Sequence, residues 1–165
     1  MKKLSTNRLG SRRGNAMIEF ALASLILLPM FFGAFQFGYT FYVYNLLCSQ
    51  IRAAARYGSM RAFYAADSSN YQTAVKNVVI YGNPDGSGTG IEPGITAANV
   101  EVLLLGANGL AASAINRPVT LTVRTAAGDN AYQVNAVFTT FTFTGKPFLT
   151  IPYTGQFAPI GTDPS

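Results

Sequence analysis

The chain has 165 residues, a length that suits one domain with an appendage better than two full domains. It contains no histidine, which removes Ser-His-Asp and Cys-His nucleophile arrangements and every His-containing metal site, and its one cysteine, Cys48, allows no internal disulfide. The net charge of +5 belongs to the N-terminus: Lys2, Lys3, Arg8, Arg12 and Arg13 are five of twelve basic residues, and the remaining seven balance seven acids, so the excess is no argument for nucleic acid.

In chain order, the basic stretch ends at Gly14 and an apolar run follows. From Phe20 to Ile51 there are 32 residues without a charge, roughly 48 Å if helical. About 20 apolar residues cross a bilayer core, so the pattern predicts a helix that spans a membrane and continues as a stalk or packing surface. The five leading positive charges argue for a cytoplasmic N-terminus. Pro29 lies inside the run and is expected to kink or locally melt the helix. Gly33 and Gly38 permit close helix approach, and Tyr39, Tyr42 and Tyr44 cluster as an aromatic belt would at the outer interface.

Asn45 to Phe63 is strongly helical in composition. Arg52 and Arg56 are four apart and share a face, while Ile51, Ala55 and Gly58 form a seam of small and apolar residues beside it. The polar break Asp67-Ser68-Ser69-Asn70 supplies helix-capping residues, and Tyr71–Tyr81 reads as a second, shorter helix with Ala74, Val75, Val78 and Val79 at helical spacing. Asn83 to Gly90 is a connector. Its glycines lack the Lys-Ser/Thr pair and the strand–turn–helix setting of a phosphate-binding loop.

Beyond the connector the period changes to two. Asn99–Leu105, Val119–Thr125 and Tyr132–Thr144 carry the Val, Thr, Phe and Tyr of half-buried strands. Alternation is complete in Val119-Thr120-Leu121-Thr122-Val123-Arg124 and nearly so from Val137 to Phe143. Asn108-Gly109 and Gly128-Asp129-Asn130 are expected connections, the second short enough for a hairpin. The segment containing Pro147, Pro152, Pro159 and Pro164 can supply at most an edge strand. The pattern predicts an α+β fold with a long N-terminal helix, a second short helix and a small C-terminal antiparallel sheet.

Glu19 stands five residues past Gly14, at the mouth of the apolar run. An acid at the centre of a span costs about 2.5–3.5 kcal/mol on insertion scales, so this one calls for a use. A cut between Gly14 and Asn15 would create an α-amine on Asn15, four residues before Glu19 and on the same helical face. The carboxylate would then lie near its own helix N-terminus, where the dipole favours negative charge, with an amine of its own chain or of a neighbour within reach. An uncleaved signal anchor with Glu19 at the interface is the plainer reading. A secretory signal would have an apolar core of about 7–15 residues closed by a small-x-small site, and no Ala-x-Ala triplet closes this one.

The stretch Arg13-Gly14-Asn15-Ala16-Met17-Ile18-Glu19-Phe20-Ala21-Leu22, then Pro29, Gln36-Phe37-Gly38 and Ala53-Ala54-Ala55-Arg56-Tyr57-Gly58-Ser59-Met60-Arg61-Ala62, resembles the TadE-like family, the minor pilins or pseudopilins of tight-adherence (Tad) pilus systems. The resemblance covers about a third of the chain. It implies a prepilin leader over residues 1–14, a transmembrane helix and helical stalk over 15–66 and an extracytoplasmic α+β domain over 67–165. It further implies processing at Gly14–Asn15 by a prepilin peptidase, an assembly role for Glu19, and partners among pilin subunits, the pilus assembly platform and the membrane. The implied location is the bacterial inner membrane in a single pass, and the implied role that of a building block without enzymatic activity, cofactor or metal. A pseudopilin of a type II secretion system and a membrane-anchored extracytoplasmic binding domain are the alternatives.

Overall fold

A single 51-residue helix, α1 (Gly10–Met60), takes up the whole uncharged run in the computed structural model, which describes residues 10–135 and 139–155, with side chains from Gly14 onward. The leader residues Lys2, Lys3 and Arg8, the middle of the stretch Tyr132–Thr144 at 136–138, and Pro159 and Pro164 lie outside the described residues. The helix passes unbroken through Pro29, so the melted turn expected there is not formed. Proline removes one backbone donor, and the turns on either side retain theirs, a loss that membrane helices tolerate.

Two halves of α1 have different surroundings. From Gly14 to Phe35 every side chain is exposed apart from the half-exposed Ser24. From Gln36 onward a stripe at intervals of three and four is buried: Gln36, Thr40, Val43, Leu47, Ile51, Ala54 and Gly58. That spacing follows one helical face, and the face covers the core of the domain. Ile51, Ala55 and Gly58 all lie in it, as the sequence seam implies, while Arg52 and Arg56 point outward together.

The second helix, α2 (Ser68–Tyr81), begins three residues earlier than its apolar spacing predicts and packs on α1 through Tyr71, Val75, Val78 and Val79. Asp67 precedes it without capping a backbone N–H; its carboxylate accepts instead from the Asn70 amide at 2.6 Å. At the other end Gly82 adopts φ 76°, and its N–H reaches the Val78 carbonyl at 3.1 Å. That left-handed turn favours glycine and closes the helix.

Five strands follow: β1 (Val100–Gly106), β2 (Pro118–Thr125), β3 (Tyr132–Asn135), β4 (Thr140–Phe143) and β5 (Phe148–Pro152). They form two antiparallel sheets, one ordered β1-β2-β5 and one pairing β3 with β4. Register places Val102 opposite Val123 and Val123 opposite Leu149, then Leu104 opposite Leu121 and Leu121 opposite Ile151. These apolar rows meet α1 and α2, giving a helical layer on a sheet layer. The outward face carries the Thr122–Thr150 hydroxyl pair at 2.7 Å and the Arg124–Glu101 ion pair at 2.7 Å. The α+β architecture is therefore as the sequence predicts, and the proline-flanked β5 is an edge strand.

Two local expectations are corrected. The stretch Tyr132–Thr144 does not run as one strand; its described parts are β3 and β4, paired with each other. The turn Gly128–Asn130 is a 3-10 turn rather than a hairpin, because β2 and β3 belong to different sheets. The edge of β2 that a hairpin partner would take is filled by β5, and β3–β4 instead lies against the lower stalk, with the Phe143 ring 5.8 Å from Tyr44 and 6.1 Å from Tyr132.

Candidate functional site

Gly14, Asn15 and Glu19 all lie on the first turns of the free half of α1 and are exposed. A Cβ added to Gly14 would meet no atom within 4 Å. Asn15 and Glu19 are four apart on continuous helix, so they share a face, and Glu19 has no ion-pair partner among the described residues. The three residues form no pocket. They present a short, accessible sequence at one end of an apolar rod. Among the described residues, no three His, Cys, Asp or Glu side chains come together as a metal site would require.

The rod itself has the dimensions of a membrane span. Its most apolar 18-residue window has a mean hydropathy of 2.0, and none of that window is buried. A core helix of a soluble protein would bury such a surface. The 22 residues from Gly14 to Phe35, none of them buried, extend roughly 33 Å, against about 30 Å of hydrocarbon.

Where the domain first meets the helix, the structure holds a group that the sequence reading passed over. Glu92, in the loop between α2 and β1, is 5% exposed. Its Oε1 accepts from the Tyr39 hydroxyl of α1 at 3.0 Å and from the Tyr132 hydroxyl of β3 at 3.3 Å, and Tyr132 also reaches the Pro93 carbonyl at 3.1 Å. Burial, followed by the adjacent Glu92 charge, pushes the Tyr132 hydroxyl up from its ordinary range. A buried carboxylate needs hydrogen bonds to offset its lost hydration, and two tyrosines from separate elements supply them. The expected aromatic belt is thereby divided. Tyr42 is exposed, Tyr39 is turned toward Glu92, and Tyr44 is half-buried against Phe143. The signal in the sequence was slight: a lone acid between Ile91 and Pro93, with nothing in the spacing to connect it to a tyrosine 53 residues earlier.

An exposed apolar helix at one end of an α+β domain, with a carboxylate five residues past a glycine at its mouth, defines a protein with one helix able to span a membrane. Comparison with known families makes this narrower: the model described as TadE-like protein matches residues 14–56. The match begins at Gly14 and ends at Arg56, inside α1, and so covers the free half and most of the stalk but none of the sheets. It agrees with the resemblance to the TadE-like family carried by the sequence. No curated protein and no solved structure matches the chain.

Proposed function

We propose that this chain is a minor pilin or pseudopilin of a Tad-type pilus. It is held in the bacterial inner membrane by residues 15–35, with its N-terminus in the cytoplasm and its α+β domain outside. A prepilin peptidase removes residues 1–14, and the mature subunit takes part in pilus assembly, adhesion or secretion as a building block. The division into leader 1–14, helix and stalk 15–66 and outer domain 67–165 belongs to this reading. The observation that carries it is the coincidence of two boundaries at Gly14: in the sequence the basic stretch ends there and gives way to the apolar run, and the family match begins there.

The role given to Glu19 follows from the same geometry. Processing creates an amine one helical turn away, and in lipid an otherwise unpartnered carboxylate is drawn to that amine or to its equivalent on a neighbouring subunit. N-terminal sequencing and intact mass of the protein extracted from native membranes test the reading. The mature chain should begin at Asn15, and Gly14→Leu should leave the leader attached, because the scissile bond needs close backbone access. A mature chain beginning at Met1, or beyond Phe32, would overturn the proposal.

A further inference from the structure

At the end of the domain farthest from the free half of α1, a cleft of about 660 Å³ opens between the turn after α1, the β1–β2 loop and the chain leaving β5. Phe63, Tyr64, Ala114 and Pro118 give it largely apolar walls, and its lining contains one cation, Arg117, and no acid. Beyond α1, four of the five large apolar side chains that the described residues leave exposed gather at this end. Tyr64 is 56% exposed, Leu110 67%, Ile115 97% and Val119 47%; the fifth, Phe148, lies at the opposite end of β2. Concentrated apolar exposure of this kind marks an interaction surface.

Three features narrow the occupant. The cleft is about 25 residues up the helix from Phe35, roughly 37 Å, out of reach of the membrane in which α1 would sit. The Tyr153 hydroxyl at its wall already donates to the Arg61 carbonyl at 2.5 Å, and no buried side-chain nitrogen or oxygen among the described residues lacks a partner. The Thr154 hydroxyl donates to the Ser59 carbonyl and the Ser113 hydroxyl accepts from the Asn116 N–H, so these polar groups of the lining are engaged within the protein and do not converge on the cleft as a small-molecule site would require. The electrostatics are one-sided: Arg117 is exposed without an acid beside it in the lining, and Arg61 nearby holds its guanidinium 5.3 Å over the Tyr57 ring.

We propose that this distal cleft is a docking site for a neighbouring protein subunit that inserts an apolar side chain flanked by a carboxylate. The apolar group fills the space between Tyr64 and Pro118, and the carboxylate meets Arg117. The proposal rests on the pilin reading above, which supplies the neighbour.

The test places p-benzoylphenylalanine at position 115 of the full chain, in cells containing the complete pilus system. Position 49, on the outward face of α1, serves as the reference. Irradiation should give an adduct from position 115 and not from 49, and the captured protein should be one whose precursor sequence has a basic leader ending in glycine with a glutamate five residues further on. Arg117→Glu should lower the yield by about fivefold, as loss of an exposed charge contact would, while Arg117→Lys keeps most of it; unchanged thermal melts of both variants separate this from misfolding. An adduct with residues 156–165 of the same chain, an adduct with lipid, no adduct, or a yield indifferent to Arg117→Glu would each overturn the proposal. Leader removal is scored in the same samples. A cleaved chain without an adduct overturns the cleft alone, and an uncleaved chain overturns the pilin reading together with the partner it supplies.

Discussion

Gly58 sits where two helices and the sheet converge. A Cβ placed there would lie 2.8 Å from Leu121 Cδ2, 2.9 Å from Val75 Cγ2 and 3.0 Å from the Tyr71 hydroxyl. Leu121 and Val75 are fully buried and have no free space to move into. Overpacking a well-filled core costs about 1–3 kcal/mol, and alanine returns about 1 kcal/mol through helix propensity. Gly58→Ala should therefore destabilise by about 1 kcal/mol, near 4 °C in a thermal melt of a domain this size, and Gly58→Val by more. An unchanged melting temperature for the alanine variant would show that the surrounding side chains yield. Tyr71 adds a second test at the same spot. Its hydroxyl donates to the Gly58 carbonyl at 2.6 Å, and burial raises its pKa in the folded protein. Above about pH 10 the unfolded chain loses this proton while the folded chain keeps it. Stability from this group is thus complete below pH 10 and declines as pH rises beyond it. Tyr71→Phe should cost about 1 kcal/mol at neutral pH and flatten the alkaline decline in denaturant titrations; a decline as steep as the parent's would assign it to other groups.

Among the elements, α1 has two tasks divided at Gln36. Its upper half is fixed by core packing, whereas its lower half has only its own backbone and whatever surrounds it. On the pilin reading, Glu19→Ala should leave leader removal intact and reduce co-purification with pilus components, because a charge contact in lipid sets which helices meet even where desolvation cancels most of its net stabilisation. Normal association in that variant would make Glu19 a bystander at the interface. The two helices and the outlines of β1 and β2 were legible because burial follows period 3.6 in one half and period two in the other, whereas Tyr132–Thr144 read as one strand and is β3 and β4. Partner choice was not. The alternation in Val119–Arg124 says which side chains face the helices, but it is silent on whether β3 or β5 lies alongside, and so the turn at Gly128–Asn130 read as a hairpin. Pro29 misled for a related reason, since its local cost was visible and the helix-holding turns around it were not. Gly14, Asn15 and Glu19 are proposed as a site from their order along the chain. Glu92 was missed because its partners, Tyr39 and Tyr132, come from two other elements and meet it only after folding.

For the molecule as a whole, the core begins at Gln36, and the described residues before it contribute no buried side chain. A fragment starting at Gln36 should fold and melt cooperatively in aqueous buffer, as followed by circular dichroism, with a melting temperature close to that of the full chain in detergent. A fragment that binds a hydrophobic dye and melts without a transition would mean that the lower helix supports the domain after all. The way the chain is tied off has a mechanical consequence. β5 is bonded along its length to β2, and just beyond it the Thr154 and Gly155 N–H groups both reach the Ser59 carbonyl at 2.9 Å, fastening the chain to the upper end of α1. A tug on the outer end of the domain, directed away from α1's free half, would act along β5 and strain its bonds to β2 and the Ser59 ties together in shear, instead of peeling them apart one by one. The load would pass directly into the long helix, so a thread built from such units could carry tension through its rods while the sheets between them stay folded.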